Sequence, residues 1–208
     1  APGLTVAKNE GFKTVVSIRG VGNETNQNAI AAPSVAYHMD GIFIASPFSL
    51  QTDFIDVERI EVLRGPQGTL FGQNSTGGAI NVISKAPSTD ELEGKTDLTV
   101  GNYGLTKTRG SINLPLSDSV ATRTSISVTK RDGFTDNIFN GQELDDADHL
   151  SFRTDWLFET SENSSIRVFA QYFDADNNGA AMKGFYDTTP DERELSQNTL
   201  SKYELEST

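Results

Sequence analysis

The 208 residues carry a formal charge of −12, 18 glycines and no cysteine. The acidic balance argues against nucleic-acid binding through a general basic surface, and the lack of cysteine excludes a disulfide framework and thiolate chemistry. No apolar run approaches the roughly 20 residues of a transmembrane helix, and Ala1-Pro2-Gly3 lacks the basic start of an export signal.

Taken in order, residues 1 to 22 read as short strands, with Val15-Val16-Ser17-Ile18 leading into Arg19-Gly20. A polar loop rich in Asn and Gln follows from Gly22 to Pro33. Ser34 to Ile44 reads as a hairpin, because Asp40-Gly41 between two apolar runs is a strong turn signal. Ala45 to Phe54 is a second polar and aromatic loop. Val57 to Leu63 alternates as a strand until Arg64-Gly65-Pro66 breaks it. A glycine-rich segment, Gly68 to Gly78, then leads into the strand-like run Ala79 to Ser84. Gly65, Gly68, Gly72, Gly77 and Gly78 are expected to supply positive φ or close backbone approach.

One explanation for these glycines is a phosphate-cradling loop. Such a loop ends in Gly-Lys-Ser/Thr, so that a lysine reaches the phosphates. Here Gly77-Gly78 is followed by Ala79-Ile80, and the next lysine is Lys85. The nucleotide explanation is therefore poor.

After Pro87 the periodicity becomes two throughout. Val120, Thr122, Thr124, Ile126 and Val128 share one face, against Ala121, Arg123, Ser125, Ser127, Thr129 and Arg131. Leu150, Phe152, Thr154, Trp156 and Phe158 oppose Ser151, Arg153 and Asp155. Ile166, Val168, Ala170 and Tyr172 oppose Arg167, Phe169 and Gln171. Lys95–Val100 and Thr106–Leu116 alternate more weakly, and a sixth strand is possible at Lys202–Thr208. Alternation over about ten residues is the pattern of a membrane-barrel strand. A soluble antiparallel sandwich alternates too. The links add weight to the barrel, since Ser117-Asp118-Ser119 and Thr160–Asn163 are short while Gly133–His149 and Asp176–Thr199 are long, an alternation with strand number that the tight Asn102-Tyr103-Gly104 turn alone breaks. Short turns at one end and long loops at the other are the habit of outer-membrane barrels.

No catalytic constellation emerges. His38 and His149 are the only histidines, and no serine sits in a Gly-x-Ser-x-Gly elbow. Glu143, Asp145, Asp146 and Asp148 have carboxylates enough for Ca²⁺ but lack the periodicity of an EF-hand loop, so a solvated acidic loop is expected.

The run LRGPQGTLFGQNSTGGAINVISK resembles the end of the plug domain of TonB-dependent outer-membrane receptors. The shared features, in order, are Arg64-Gly65-Pro66, Phe71-Gly72, Gly77-Gly78 and Ile80-Asn81-Val82-Ile83. Ile18-Arg19-Gly20 resembles a second plug segment of that family. The resemblance implies an α+β plug domain over 1–86, followed over 87–208 by the first antiparallel transmembrane strands of a β-barrel. The five or six strands here would be a fragment, because a plugged barrel needs roughly 22 and open edges do not survive in lipid.

The same resemblance implies a receptor for energy-coupled uptake in the bacterial outer membrane, and no enzyme. Its partners would be TonB, through a segment upstream of Ala1, a small ligand such as a ferric siderophore, cobalamin or an oligosaccharide, and outer-membrane lipid and lipopolysaccharide. No nucleic acid, cofactor or metal is implied. By matching motif, Arg19 and Arg64 would anchor the plug to acids of the barrel wall, and the other charges of the plug strands, Glu58, Arg59 and Glu61, are expected to share in that anchoring. Ligand contact would fall on the loops Gly22–Pro33 and Ala45–Phe54, with Asn23, Asn26, Gln27, Ser46 and Phe48 as candidates. The alternative from another class is a soluble extracellular β-rich binding or adhesion module without transport.

Overall fold

The computed structural model describes residues 3–9, 13–22, 34–44, 55–72, 74–179, 194–195 and 203–207. The chain forms two compact units. The first comprises Ala1–Thr52 with Val57–Lys85, and the second Asp53–Asp56 with Ala86–Thr208.

In the first unit, β1 (Leu4–Asn9), β2 (Lys13–Ile18) and β3 (Val21–Gly22) form one antiparallel sheet. A second sheet contains β4 (Val35–Met39), β5 (Ile42–Phe43), β6 (Val57–Arg64) and β7 (Gly78–Ser84) in the order β5-β4-β7-β6. β7 is central, parallel to β4 and antiparallel to β6. Its apolar run is buried on both faces, as a strand with two neighbours and two covered faces requires. β6 is an edge strand and leaves Glu58, Arg59 and Ile60 exposed. The core is Ile18, Val35, Ala36, Tyr37, Ala79, Ile80 and Val82.

The hairpin turn falls at Asp40-Gly41, both with positive φ, as a two-residue type I′ loop needs. Asp40 also accepts from Ser84 N (2.8 Å) and Ser84 Oγ (3.0 Å), which ties the turn to the end of β7. The expected α+β plug departs from the structure in helix content. Among the described residues the one helix is α1 (Gly68–Phe71), a single turn. The chain around it closes on itself through Gln67 N to Ser75 O and Gly65 N to Gly77 O, so the glycine-rich segment has no room for a longer helix.

The second unit contains β8 (Glu93–Val100), β9 (Thr106–Ser117), β10 (Val120–Arg131), β11 (Thr135–Asn137), β12 (Gln142–Leu144), β13 (Ala147–Ser161), β14 (Ser164–Asn177), β15 (Glu194–Leu195) and β16 (Tyr203–Ser207). Six of these make one antiparallel sheet in the order β16-β14-β13-β10-β9-β8. The small sheet β12-β11-β15 is built from the long connections. Pro115 lies inside β9, where a missing N–H would interrupt a ladder. A bulge beside it, at Val120/Ala121, absorbs the irregularity.

The burial of the large sheet is inverted relative to a soluble protein. Ser127 and Ser151 are 0% exposed and Asp155 2%, whereas Phe152 and Trp156 are each 38% exposed. Register aligns the apolar side chains across strands: Ile126 with Phe152, Val128 with Leu150, Trp156 with Val168 and Phe158 with Ile166. The result is one face that carries the large exposed apolar side chains and one buried face that is mostly polar. That is the arrangement the alternation predicts for a membrane strand, and not that of a soluble sandwich.

Candidate functional site

The glycine segment is shaped by sterics at one position above the rest. Gly78 has φ +142°, and a Cβ there would lie 2.3 Å from Leu63 O and 2.9 Å from Ile18 Cδ1. Gly77 has ordinary φ, but a Cβ there would lie 2.8 Å from Val21 Cγ1. Gly65 and Gly72 take positive φ in open space. Gly68 shows neither positive φ nor crowding, so the expectation for it is corrected: it is the first residue of α1 and tolerates a side chain. Ser75 Oγ donates to Gly72 O at 2.7 Å, and Gly77 N to Ser34 O at 2.8 Å, which fixes the segment onto the start of β4.

The plug charges sort into two groups. Arg59 Nε donates to Glu61 (2.9 Å) and its Nη1 to Glu58 (2.5 Å), while Asn81 Nδ2 donates to the other Glu61 oxygen (3.2 Å). The Arg59 hydrogen bond, then that of Asn81, holds the Glu61 carboxyl below its usual range. These three charges therefore partner one another on the exposed face of β6. Arg19 and Arg64 are also exposed, and among the described residues neither makes an ion pair. Asn23, Asn26, Gln27, Ser46 and Phe48 lie outside the described residues.

His38 is buried between Phe43 (5.5 Å) and Phe71 (4.9 Å), and its Nδ1 has no partner among the described residues. Burial lowers its pKa, so it is a packed neutral residue. In the acidic loop, Asp145 accepts from Thr135 Oγ1 (2.6 Å), Asp146 from Asn178 N (2.7 Å), and Asp148 faces Lys130 (3.5 Å). These carboxylates pin the loop, and no group of three or more metal-ligating side chains gathers among the described residues.

The buried face of the large sheet holds two ion networks. Asp155 accepts from Arg153 Nη2 at 2.9 Å and from Arg167 Nε and Nη2, both at 2.7 Å. Arg153 also lies over the Phe169 ring at 4.3 Å. Arg123 donates to Asp56 through Nε and Nη2 and to Glu93 through Nη1. Alternation had put Arg123, Arg153 and Asp155 on one face. It gave no sign of their partners, because strand register decides which side chains meet.

Residues 1–79 match the model of the TonB-dependent Receptor Plug Domain. Over 89 residues, 41% of this chain, the sequence is 38% identical to the pesticin receptor of Yersinia pestis, covering 12% of that protein. It is 25% identical over 154 residues, 70% of this chain, to the metal-pseudopaline receptor CntO of Pseudomonas aeruginosa, covering 22% of it. The crystal structure of the ferric yersiniabactin uptake receptor FyuA from Yersinia pestis superposes on 94% of this chain with a TM-score of 0.79 at 22% identity, over 30% of its own length. The chain thus spans well under two thirds of each. Residues 1–79 thus match the plug domain of TonB-dependent receptors, and a sheet with its large apolar side chains turned outward follows them.

Proposed function

We propose that the complete protein captures a scarce metal chelate, such as a ferric siderophore, outside the cell and carries it across the outer membrane with energy delivered through TonB. One observation carries this reading. The match to a plug is followed directly by a sheet whose apolar face is exposed and whose polar face, with Ser127, Ser151 and Asp155, is buried. Such a sheet suits a wall between hydrocarbon and a polar lumen. A soluble adhesion module would leave Leu98, Val100, Ile112, Ile126, Phe152, Trp156 and Val168 in water.

The names of the metal-pseudopaline and ferric yersiniabactin receptors support a metal chelate over a sugar or cobalamin. On this reading the loops 22–33 and 45–54 supply ligand contacts, with Asn23, Asn26, Gln27, Ser46 and Phe48 offering amides, a hydroxyl and an aromatic ring. On the same reading TonB supplies the energy, and Arg19 and Arg64 reach acids of the full barrel wall. No catalytic step is involved.

The test is uptake of radio-iron bound to hydroxamate or catecholate chelates by an iron-starved strain carrying the full-length gene. Uptake should disappear when TonB is deleted, while chelate binding to the cells remains. Uptake indifferent to TonB, or protein recovered in a salt wash instead of with outer membranes, overturns the reading.

A further inference from the structure

Arg123 stands on the buried face of β10 and is itself 4% exposed. Its Nε and Nη2 both donate to Asp56, the Nη2 to Oδ1 at 2.9 Å, and Ser125 Oγ donates to Asp56 Oδ2 at 3.2 Å. The remaining Nη1 donates to Glu93 Oε2 of β8 at 3.2 Å. Asp56 belongs to the short segment that groups with this sheet, yet it is the residue immediately before Val57, the first of β6. It adopts φ +55°, a left-handed conformation that an aspartate tolerates better than most residues but that still stores strain.

The guanidinium therefore has two acid partners of unequal kind. Asp56 takes the two-pronged edge, the stronger and more directional contact, with a side chain only 14% exposed. Glu93 accepts a single hydrogen bond, from Nη1, and its side chain is 44% exposed. A buried charge that loses its sole partner is stranded, which resists separation. Arg123 is not placed that way, because Glu93 stays on the same arginine when Asp56 departs.

We infer that Arg123 is a releasable clamp on the chain at the entry to β6, holding Asp56 in the resting state and resting on Glu93 when Asp56 lets go. Asp56, Glu93 and Ser125 are positioning residues of the clamp. The inference rests on side-chain geometry and is independent of which ligand is carried.

The experiment is hydrogen exchange by mass spectrometry on the full-length protein in outer-membrane vesicles, with heat-modifiable gel mobility reporting barrel assembly. Asp56→Asn should raise exchange over Ile55–Arg64 about tenfold and leave β10 protected. Glu93→Gln alone should leave Ile55–Arg64 protected. The Asp56→Asn/Glu93→Gln pair should loosen β10 as well, because Arg123 then has neither acid. Unchanged exchange over Ile55–Arg64 in Asp56→Asn overturns the clamp, and so does equal loosening by Glu93→Gln alone. If Asp56→Asn does not assemble, the Asp56→Asn/Arg123→Gln pair removes both charges together and should assemble with Ile55–Arg64 loosened. A protected Ile55–Arg64 in that pair, or failure of the pair to assemble, overturns the proposal.

Discussion

A methyl group at position 78 would sit 2.3 Å from the Leu63 carbonyl oxygen, with backbone on both sides of the contact and φ at +142°. Gly78→Ala therefore combines strain of about 1–3 kcal/mol with a displacement of β6 from β7. We expect β7 amides to lose most of their exchange protection, with Gly68→Ala as the control. Position 68 meets nothing within 4 Å, and alanine in a helix is more favourable than glycine by up to about 1 kcal/mol, so that variant should be neutral or mildly stabilising. The sequence marks both glycines alike. Only the pairing of β6 with β7, and the approach of Ile18 from another sheet, separates the required glycine from the dispensable one. His38 gives a second test at this scale. Its folded pKa lies below the unfolded value of about 6.5, so above that value both states are neutral and the packing is kept. As pH falls through it, the unfolded chain takes the proton first, and stability is lost. Exchange over Val35–Phe43, corrected for intrinsic rates, should rise between about pH 7.5 and about pH 5.5, and His38→Gln should remove that dependence.

At the scale of the strand, β13 alternates between two environments within a single residue step. Phe152 is exposed while Ser151 and Arg153 are buried. Phe152→Arg should destabilise the barrel by roughly 2–4 kcal/mol if the site is near the membrane midplane, read from urea unfolding in vesicles. Spin labels at 152 and 153 should differ sharply in access to oxygen against a water-soluble quencher, and equal access contradicts a membrane wall. Asp155→Asn is expected to be harsher than Arg167→Gln, because Asp155 serves two arginines, one of them Arg153, itself 4% exposed. Much of this was legible beforehand. The limits of β10 and its two faces follow from its alternation, and the Asp40-Gly41 turn from its dipeptide. The parallel pairing of β4 with β7 was not legible, since the strands lie about 40 residues apart and nothing local states which edge a strand joins. The same holds for Arg167 meeting Asp155 across β14 and β13, and for Asp56 meeting Arg123, 67 residues away. A period of two gives the face and leaves register to tertiary packing.

For the whole molecule, the question is how the plug strand β6 is held at its two ends. Asp56 secures the entry at Val57. Arg64 closes the other end, and Arg19 follows β2 at a left-handed turn with φ +54°. Both arginines are exposed, and neither has an ion pair among the described residues. An exposed arginine adds at most about 1 kcal/mol to the fold that carries it, so Arg19→Ala/Arg64→Ala should leave the plug's own sheet and the barrel ladder intact. What it should remove is engagement with acids of the complete wall, for which the planar guanidinium fork is suited. The two attachments then differ in where β6 frays. Asp56→Asn should loosen β6 from Val57 inward, and the double arginine variant from Arg64 inward, with chelate uptake altered and chelate binding at the cell surface largely kept. Site-resolved exchange along Val57–Arg64 in the full-length protein separates the two. Unchanged protection at the Arg64 end in the double variant would show that these arginines are solvated surface charges, leaving the Arg123 contact to hold the strand.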